Sequence, residues 1–238
     1  ARIETGEPYL IFIDQVNREM PEHHKLAGLS VKTSNLCSEI TLPRGIDRFE
    51  KQRTAVCCLS SLNLEKYEEW ESHPTFIDDV MRFLDNALQD FIDSAPDDFS
   101  NAVYSAMRER SVGLGVMGFH SFLQSKNIPW EGVMSKVWNK RIFKHIREQA
   151  DAASVSLAEE RGACPDAADF GAQERFSNKM AVAPTASISI ICGGTSAGIE
   201  PIAANSFTHK TLSGSFNVRN ISLKRLLADK GHDTDETW

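Results

Sequence analysis

Apolar residues recur at intervals of three and four from Thr75 onward. Ile77, Val80, Met81, Leu84, Leu88, Phe91 and Ile92 fall on one helical face. Pro74, just before them, suits a first helical turn. SNAVYSAMRERS (100–111) predicts a second helix. Residues 133–161 predict one long helix with Val137, Ile142, Ile146, Ala150, Ala153 and Leu157 facing a core, stopped by Gly162 and Pro165. ISLKRLLADKG predicts a short helix ended by Gly231.

Other stretches have extended character. PYLIFIDQVN (8–17) reads as a buried strand leading into a helix, and residues 30–42, 54–64 and FTHKTLSGSFNVRN (207–220) are strand-like. KMAVAPTASISIICG (179–193) reads as strand, polar turn and apolar run. In SVGLGVMGFHSFLQ, Gly113, Gly115 and Gly118 imply close backbone packing or a helix entered through a tight turn. Strand segments separated by long helices predict an α/β fold with mostly parallel pairing, and a barrel is one way to close it.

Composition narrows the classes. The 238 residues are 41% hydrophobic and 25% charged, as in globular domains. A net charge of −7 argues against nucleic acid as the main partner, although a single nucleotide needs only a few backbone N–H groups. No apolar run approaches the ~20 residues of a membrane span, and the first residues lack a signal-peptide pattern. The five cysteines (37, 57, 58, 164 and 192) form no CxxC pair, which points to a reducing cytoplasm with some working thiols. Cys164 and Cys192 read as structural, and His23 and His24, in MPEHHK, as part of a solvated loop.

The chemistry concentrates at SNLCSEI (34–40). In an extended segment Asn35, Cys37 and Glu39 share a face, each about 6–7 Å from the next. That is too far for direct contact but suitable for lining one small substrate. A carboxylate beside a thiol disfavours the thiolate. The setting therefore argues against a thiolate nucleophile and allows a thiol that exchanges hydrogen atoms, with Glu39 as a base. Taken alone, the pattern also fits a buried structural cysteine between solvated neighbours. Cys57 and Cys58 would face opposite ways in a strand, so one at most serves a given site. They also fit as two small core residues. Around 184–189, Pro184, Thr185, Ala186, Ser187 and Ser189 follow a short strand and could cradle an anion or form an ordinary polar turn.

SNLCSEITLP, VCCLSSLNL, RSVGLGVMGFHSFL, APTASISIICGGTSAGIEP and HKTLSGSF occur in that order. Together they resemble the large (α) subunit of ribonucleotide reductases, with details similar to class I. The resemblance implies an α/β class, part of a ten-stranded α/β barrel with a central finger loop at about 34–42. It treats residues 1–238 as a single partial catalytic barrel domain, with the regulatory N-terminal region and C-terminal tail absent. It implies reduction of ribonucleoside diphosphates to deoxyribonucleoside diphosphates by a thiyl-radical mechanism. Cys37 would carry the radical, Glu39 would act as base, and Asn35 would bind the sugar and that carboxylate. Cys57 would be one member of a redox pair whose other cysteine lies outside this chain, as do the radical-transfer tyrosines. Thr185, Ala186, Ser187 and Ile188 would bind the substrate phosphates. No cofactor is expected on this chain. The radical would come from a metal-containing β subunit, thioredoxin or glutaredoxin would be the reductant, and ATP or dNTP effectors and an α homodimer would belong to the full-length protein. The alternative is a non-catalytic nucleotide-binding or assembly fragment of a split or decayed reductase.

Overall fold

The computed structural model describes residues 2–212 and 214–238, without the side chains of His209 and Thr211. Helices α1 (Arg2–Thr5), α2 (Ile13–Glu19) and α3 (Glu22–Leu26) precede strands β1 (Gly45–Ile46), β2 (Gln52–Arg53) and β3 (Leu59–Asn63). Then follow α4 (Tyr67–Trp70), α5 (Phe76–Ser94), α6 (Ser100–Glu109), β4 (Gly113–Met117), α7 (Phe119–Ser125), α8 (Val133–Arg161), α9 (Pro165–Ala168) and α10 (Ile188–Ile191). Strands β5 (Ser206–Thr211) and β6 (Gly214–Arg219) and helix α11 (Ile221–Asp229) come last. The chain forms two compact units. One comprises residues 1–60, 73–115 and 144–183, the other residues 61–72, 116–143 and 184–238.

In the first unit, α5 buries Ile77, Met81, Leu84 and Leu88, the face its periodicity predicts. Each such side chain contributes about 1.5–3 kcal/mol of burial free energy. Helix α6 packs on α5 and α9, and α3 also packs on α9. The predicted long helix is α8, of which residues 133–143 belong to the second unit and 144–161 to the first; Ile142, Ile146, Ala150, Ala153 and Leu157 are buried along it. Val137, expected in the core, is instead 49% exposed. Gly162 leaves the helix at φ +90°, a left-handed turn that suits glycine, and Pro165 starts α9.

Two of the strand pairs depart from the parallel reading. β1 pairs antiparallel with β2, and β5 antiparallel with β6; a parallel bridge joins Leu114 to Met180. Short connections produce the antiparallel pairs, because a parallel pair needs a long crossover. Residues 8–12 form no strand, and Tyr9, Leu10 and Phe12 are exposed at 55%, 68% and 77%. Among the described residues no neighbouring strand pairs with them.

Gly115 marks the closest backbone approach in this unit. A Cβ there would stand 2.3 Å from the Ala181 carbonyl oxygen and 3.2 Å from Val182 Cα. Both are backbone atoms with little room to move. Gly115→Ala is expected to cost about 3 kcal/mol, at the upper end for overpacking. Urea denaturation of the variant would measure it, and a loss below about 1 kcal/mol would show that the strands can separate.

His23 and His24 overturn the solvated reading. They lie in α3 at 7% and 0% exposure. His23 Nε2 pairs with Ser177 Oγ at 2.8 Å, and His24 Nε2 stands 3.5 Å from Asp166 Oδ2. Burial, reinforced by the adjacent His24, lowers the His23 pKa to about 4, so its imidazole is neutral. Packing of α3 on α9 removes them from water.

In the second unit, Tyr67, Phe122 and Trp138 meet edge to face, with ring centres 6.1 Å apart for Tyr67–Phe122 and 5.0 Å for Phe122–Trp138. Gly118 enters α7 at φ +81°, fulfilling the tight-turn expectation. Asn220 caps α11 by accepting from Ser222 N at 3.0 Å and Leu223 N at 3.3 Å. Gly231 follows α11 at φ +72°. Among the described residues, no helix is long and apolar enough to cross a membrane.

Candidate active site

The loop around Cys37 is a closed turn and not the extended strand that alternation assumed. Ser38 N donates to Asn35 O at 3.1 Å, closing a β-turn across Leu36 and Cys37. Ser38 then adopts φ +67°. Side-chain bonds seal the base. Ser34 Oγ donates to Ile40 O at 2.7 Å, and Ile40 N donates to Asn35 Oδ1 at 3.1 Å. Further back, Asn17 of α2 donates to Val31 O at 2.9 Å and accepts from Val31 N at 2.8 Å, anchoring the incoming segment of the loop.

The turn changes the relation of the three polar groups. Asn35 Nδ2 donates directly to Glu39 Oε2 at 2.8 Å, a contact that an extended chain forbids. A turn shortens the path between residues four apart, so the amide orients the carboxylate. Cys37 sits exposed at the tip of the turn between them. Ile40 and Leu42 are buried beyond it and fix the outgoing segment.

A cleft of about 30 Å³ adjoins this loop. Glu39, Cys57, Cys58, Ser111 and Asn178 line it together with apolar residues of the same unit. Glu39 and Cys57 thus meet at one cleft, although residues 40–56, irregular chain and short strands, separate them. Cys57 is exposed as a residue, yet the atoms around its thiol partly desolvate it. That desolvation first, then Glu39 and then Cys58, raise its pKa above the ordinary thiol value. Cys58 differs in setting: its Sγ donates to Leu84 O at 3.7 Å. Both cysteines nevertheless line the cleft, contrary to the expectation that one at most serves a given site, because residues 57 and 58 form no regular strand.

Residues 184–189 belong to the second unit. Thr185 is buried at φ +53°, and its Oγ1 accepts from Gly198 N at 2.8 Å, so the hydroxyl is used internally. Ala186, Ser187 and Ile188 are exposed. Among the described residues, their backbone N–H groups donate to no group of the chain. Those three N–H groups are the donors free to meet an anion. Cys164 is buried, as a structural cysteine should be, whereas Cys192 is exposed, contrary to that expectation.

These features have counterparts in known proteins. The ribonucleotide reductase barrel domain matches residues 1–175 and 171–237. The chain belongs to that family. It is 47% identical over 97% of its length to the ribonucleoside-diphosphate reductase large subunit of Invertebrate iridescent virus 3, covering 35% of that protein. Against the putative large subunit of Frog virus 3 the identity is 42% over 100% of the chain and 41% of the relative. The solved class Id ribonucleotide reductase alpha subunit of Actinobacillus ureae superposes with a TM-score of 0.87 at 35% identity, over all of this chain and 42% of that one. A vitamin B12-dependent reductase of Mycobacterium tuberculosis is 32% identical, so relatives differ in their cofactor demand. The chain spans 35% to 42% of the reductases named first. Its fold class is therefore the α/β barrel of the family, of which the described strands form part.

Sequence reading of the Cys37 loop missed Ser34, whose hydroxyl closes its base, and Asn17, which anchors it. Both are ordinary polar residues, and only the three-dimensional turn gives them partners. It also missed Ser111 and Asn178, which line the cleft but lie far from Cys57 in the chain. The approach of glycine-rich β4 to the Cys57–Leu59 segment, where Gly113 N donates to Cys58 O at 2.8 Å, was the available signal.

Proposed function

We propose that the chain carries the catalytic loop of a ribonucleoside-diphosphate reductase large subunit, forming deoxyribonucleoside diphosphates. The observation that supports this most directly is the Asn35–Glu39 hydrogen bond across the Cys37 turn, with Glu39 sharing a cleft with Cys57. Cys37, as a thiyl radical, takes the ribose 3′-hydrogen atom. Glu39, held by Asn35, takes the 3′-hydroxyl proton. The 2′-hydroxyl leaves as water with a proton from the thiol pair. Cys57 and the second thiol supply two electrons and two protons in all and become a disulfide, so a C–OH bond is replaced by C–H; the 3′-hydrogen returns from Cys37, and Glu39 gives back the 3′-hydroxyl proton.

Ala186, Ser187 and Ile188 offer N–H groups to the substrate phosphates, with Thr185 shaping the turn. The radical is supplied by a metal-containing β subunit, and the disulfide is reduced by thioredoxin or glutaredoxin. ATP or dNTP effectors and α-subunit dimerisation belong to the full-length protein, and the site of action is the cytoplasm. The domain assignment is one partial catalytic barrel across 1–238, with the finger loop at about 34–42 and the phosphate segment at about 184–189.

The test uses the large subunit containing this chain, with its radical-generating partner and a dithiol reductant. Deoxynucleoside diphosphate formation is the readout. Cys57→Ser should reduce multiple turnover by about a hundredfold or more, because the electron pair cannot be renewed through a serine. A Cys57→Ser enzyme that turns over normally would overturn the redox assignment. No deoxynucleotide from the wild-type assembly would leave a nucleotide-binding role.

A further inference from the structure

The cleft beside Cys57 connects to a buried carboxyl group that the proposed reaction does not use. Glu109 is the last residue of α6 and only 2% exposed. Ser111 Oγ donates to Glu109 Oε2 at 3.1 Å, and Asn178 Nδ2 donates to Ser111 Oγ at 3.1 Å. Ser111 and Asn178 both line the cleft that Glu39, Cys57 and Cys58 also line. At about 30 Å³ the cleft has room for a water molecule, with polar groups on its wall to hold one.

We propose that Glu109 is a positioning residue for the Cys57 thiol, acting through the hydroxyl of Ser111. The inference rests on the reading of Cys57 as the redox thiol. A serine hydroxyl has one proton and two acceptor sites. Asn178 occupies one acceptor site. When Glu109 is ionised, the carboxylate claims the hydroxyl proton, and Ser111 turns no donor toward the cleft. When Glu109 is protonated, its own O–H donates to the second acceptor site of Ser111. The Ser111 proton is then free to point into the cleft, directly or through a water, and to stabilise a thiolate there.

The surroundings place this exchange in an accessible range. The groups facing Glu109 are Arg53 from β2, Asp166 from α9, Ser111, and the Cys164 thiol just before α9. Arg53 already pairs with Asp47 at 2.8 Å and with Asp166 at 2.8 Å, so its charge is largely spent. Burial therefore dominates and pushes the Glu109 carboxyl up to about 8. The negative end of the α6 dipole acts in the same direction.

The readout is the rate of Cys57 alkylation by iodoacetamide in the full chain between pH 6.5 and 9.5, assigned by peptide fragmentation mass spectrometry. The wild type should show an inflection near pH 8 beyond the simple rise of one titrating thiol. Glu109→Gln should remove the inflection and react about threefold faster at pH 9, the effect of half a pKa unit. Ser111→Ala should also remove it and react about threefold more slowly at pH 7. Retention of the wild-type profile by either variant, shown folded by circular dichroism, would overturn the proposal. If Glu109→Gln does not fold, Ser111→Ala decides alone. The assay needs no turnover. An inactive assembly would count against the reductase reading without touching this result, and an unchanged alkylation profile would not touch the reductase reading.

Discussion

Cys37→Ser is expected to lower deoxynucleotide formation by at least about a thousandfold while changing unfolding free energy by less than about 0.5 kcal/mol. The two halves of this prediction have different physical origins. Cys37 is exposed at the tip of a turn whose closure uses Asn35, Ser38, Ser34 and Ile40, so its sulfur supports no packing. Serine fits the same backbone and leaves every one of those bonds in place. The chemistry is less forgiving. An alcohol O–H bond is much stronger than a thiol S–H bond, so a serine cannot be charged as a radical that then exchanges a hydrogen atom with ribose. Product formation and urea denaturation on the same preparation check both halves. Substantial activity in the serine variant would remove Cys37 from the reaction, and a large stability loss would show that the turn depends on the sulfur.

Asp85→Ala is expected to cost about 3–5 kcal/mol, a large part of the stability of an ordinary domain. Asp85 is fully buried on α5 and gathers arginines from three other segments. Its Oδ1 accepts from Arg110 Nη2 at 2.7 Å and Arg175 Nε at 3.0 Å, and its Oδ2 accepts from Arg161 Nη1 at 2.8 Å. Arg110 and Arg175 are 5% and 8% exposed, so loss of the carboxylate strands two buried cations. Burial alone would raise the Asp85 pKa, but hydrogen bonds from Arg175 and Arg110 outweigh it and hold the carboxyl below the usual range. The sign of the pH dependence follows. A depressed carboxyl contributes fully above its unfolded pKa, and the contribution fades as pH falls through the lower folded value. The wild type should therefore lose stability on acidification more steeply than Asp85→Ala. Denaturant titrations at pH 7 and in the acid range measure both effects. A loss under about 1 kcal/mol at neutral pH would show that the arginines find other partners or water.

The reach of the sequence differs between elements for identifiable reasons. Helix α5 was legible because its apolar residues repeat every three to four positions, a local signal that packing only has to accept. Helix α8 was legible in extent through Gly162 and Pro165, but Val137 shows that a helical stripe can run past the end of its core. Parallel pairing does not extend to β1–β2 and β5–β6, because helices between strands suggest crossovers while the short links of these two pairs enforce hairpins. The buried histidines His23 and His24 were illegible, since their partners Ser177 and Asp166 lie over 140 residues away.

By itself, the sequence singled out the residues to which we assign the chemistry. Asn35, Cys37, Glu39, Cys57 and 185–188 were read from motifs that resemble the family's, and the barrel-domain match bears out the family. Tertiary structure decided how they can act. It bent an apparent strand into a turn, so that Asn35 grips Glu39, and it brought Glu39, Cys57, Ser111 and Asn178 to one cleft. The physical reason is range. Side-chain identity and periodicity are written locally along the chain, whereas hydrogen bonds, desolvation and pKa values depend on atoms that only the folded backbone brings within a few ångströms.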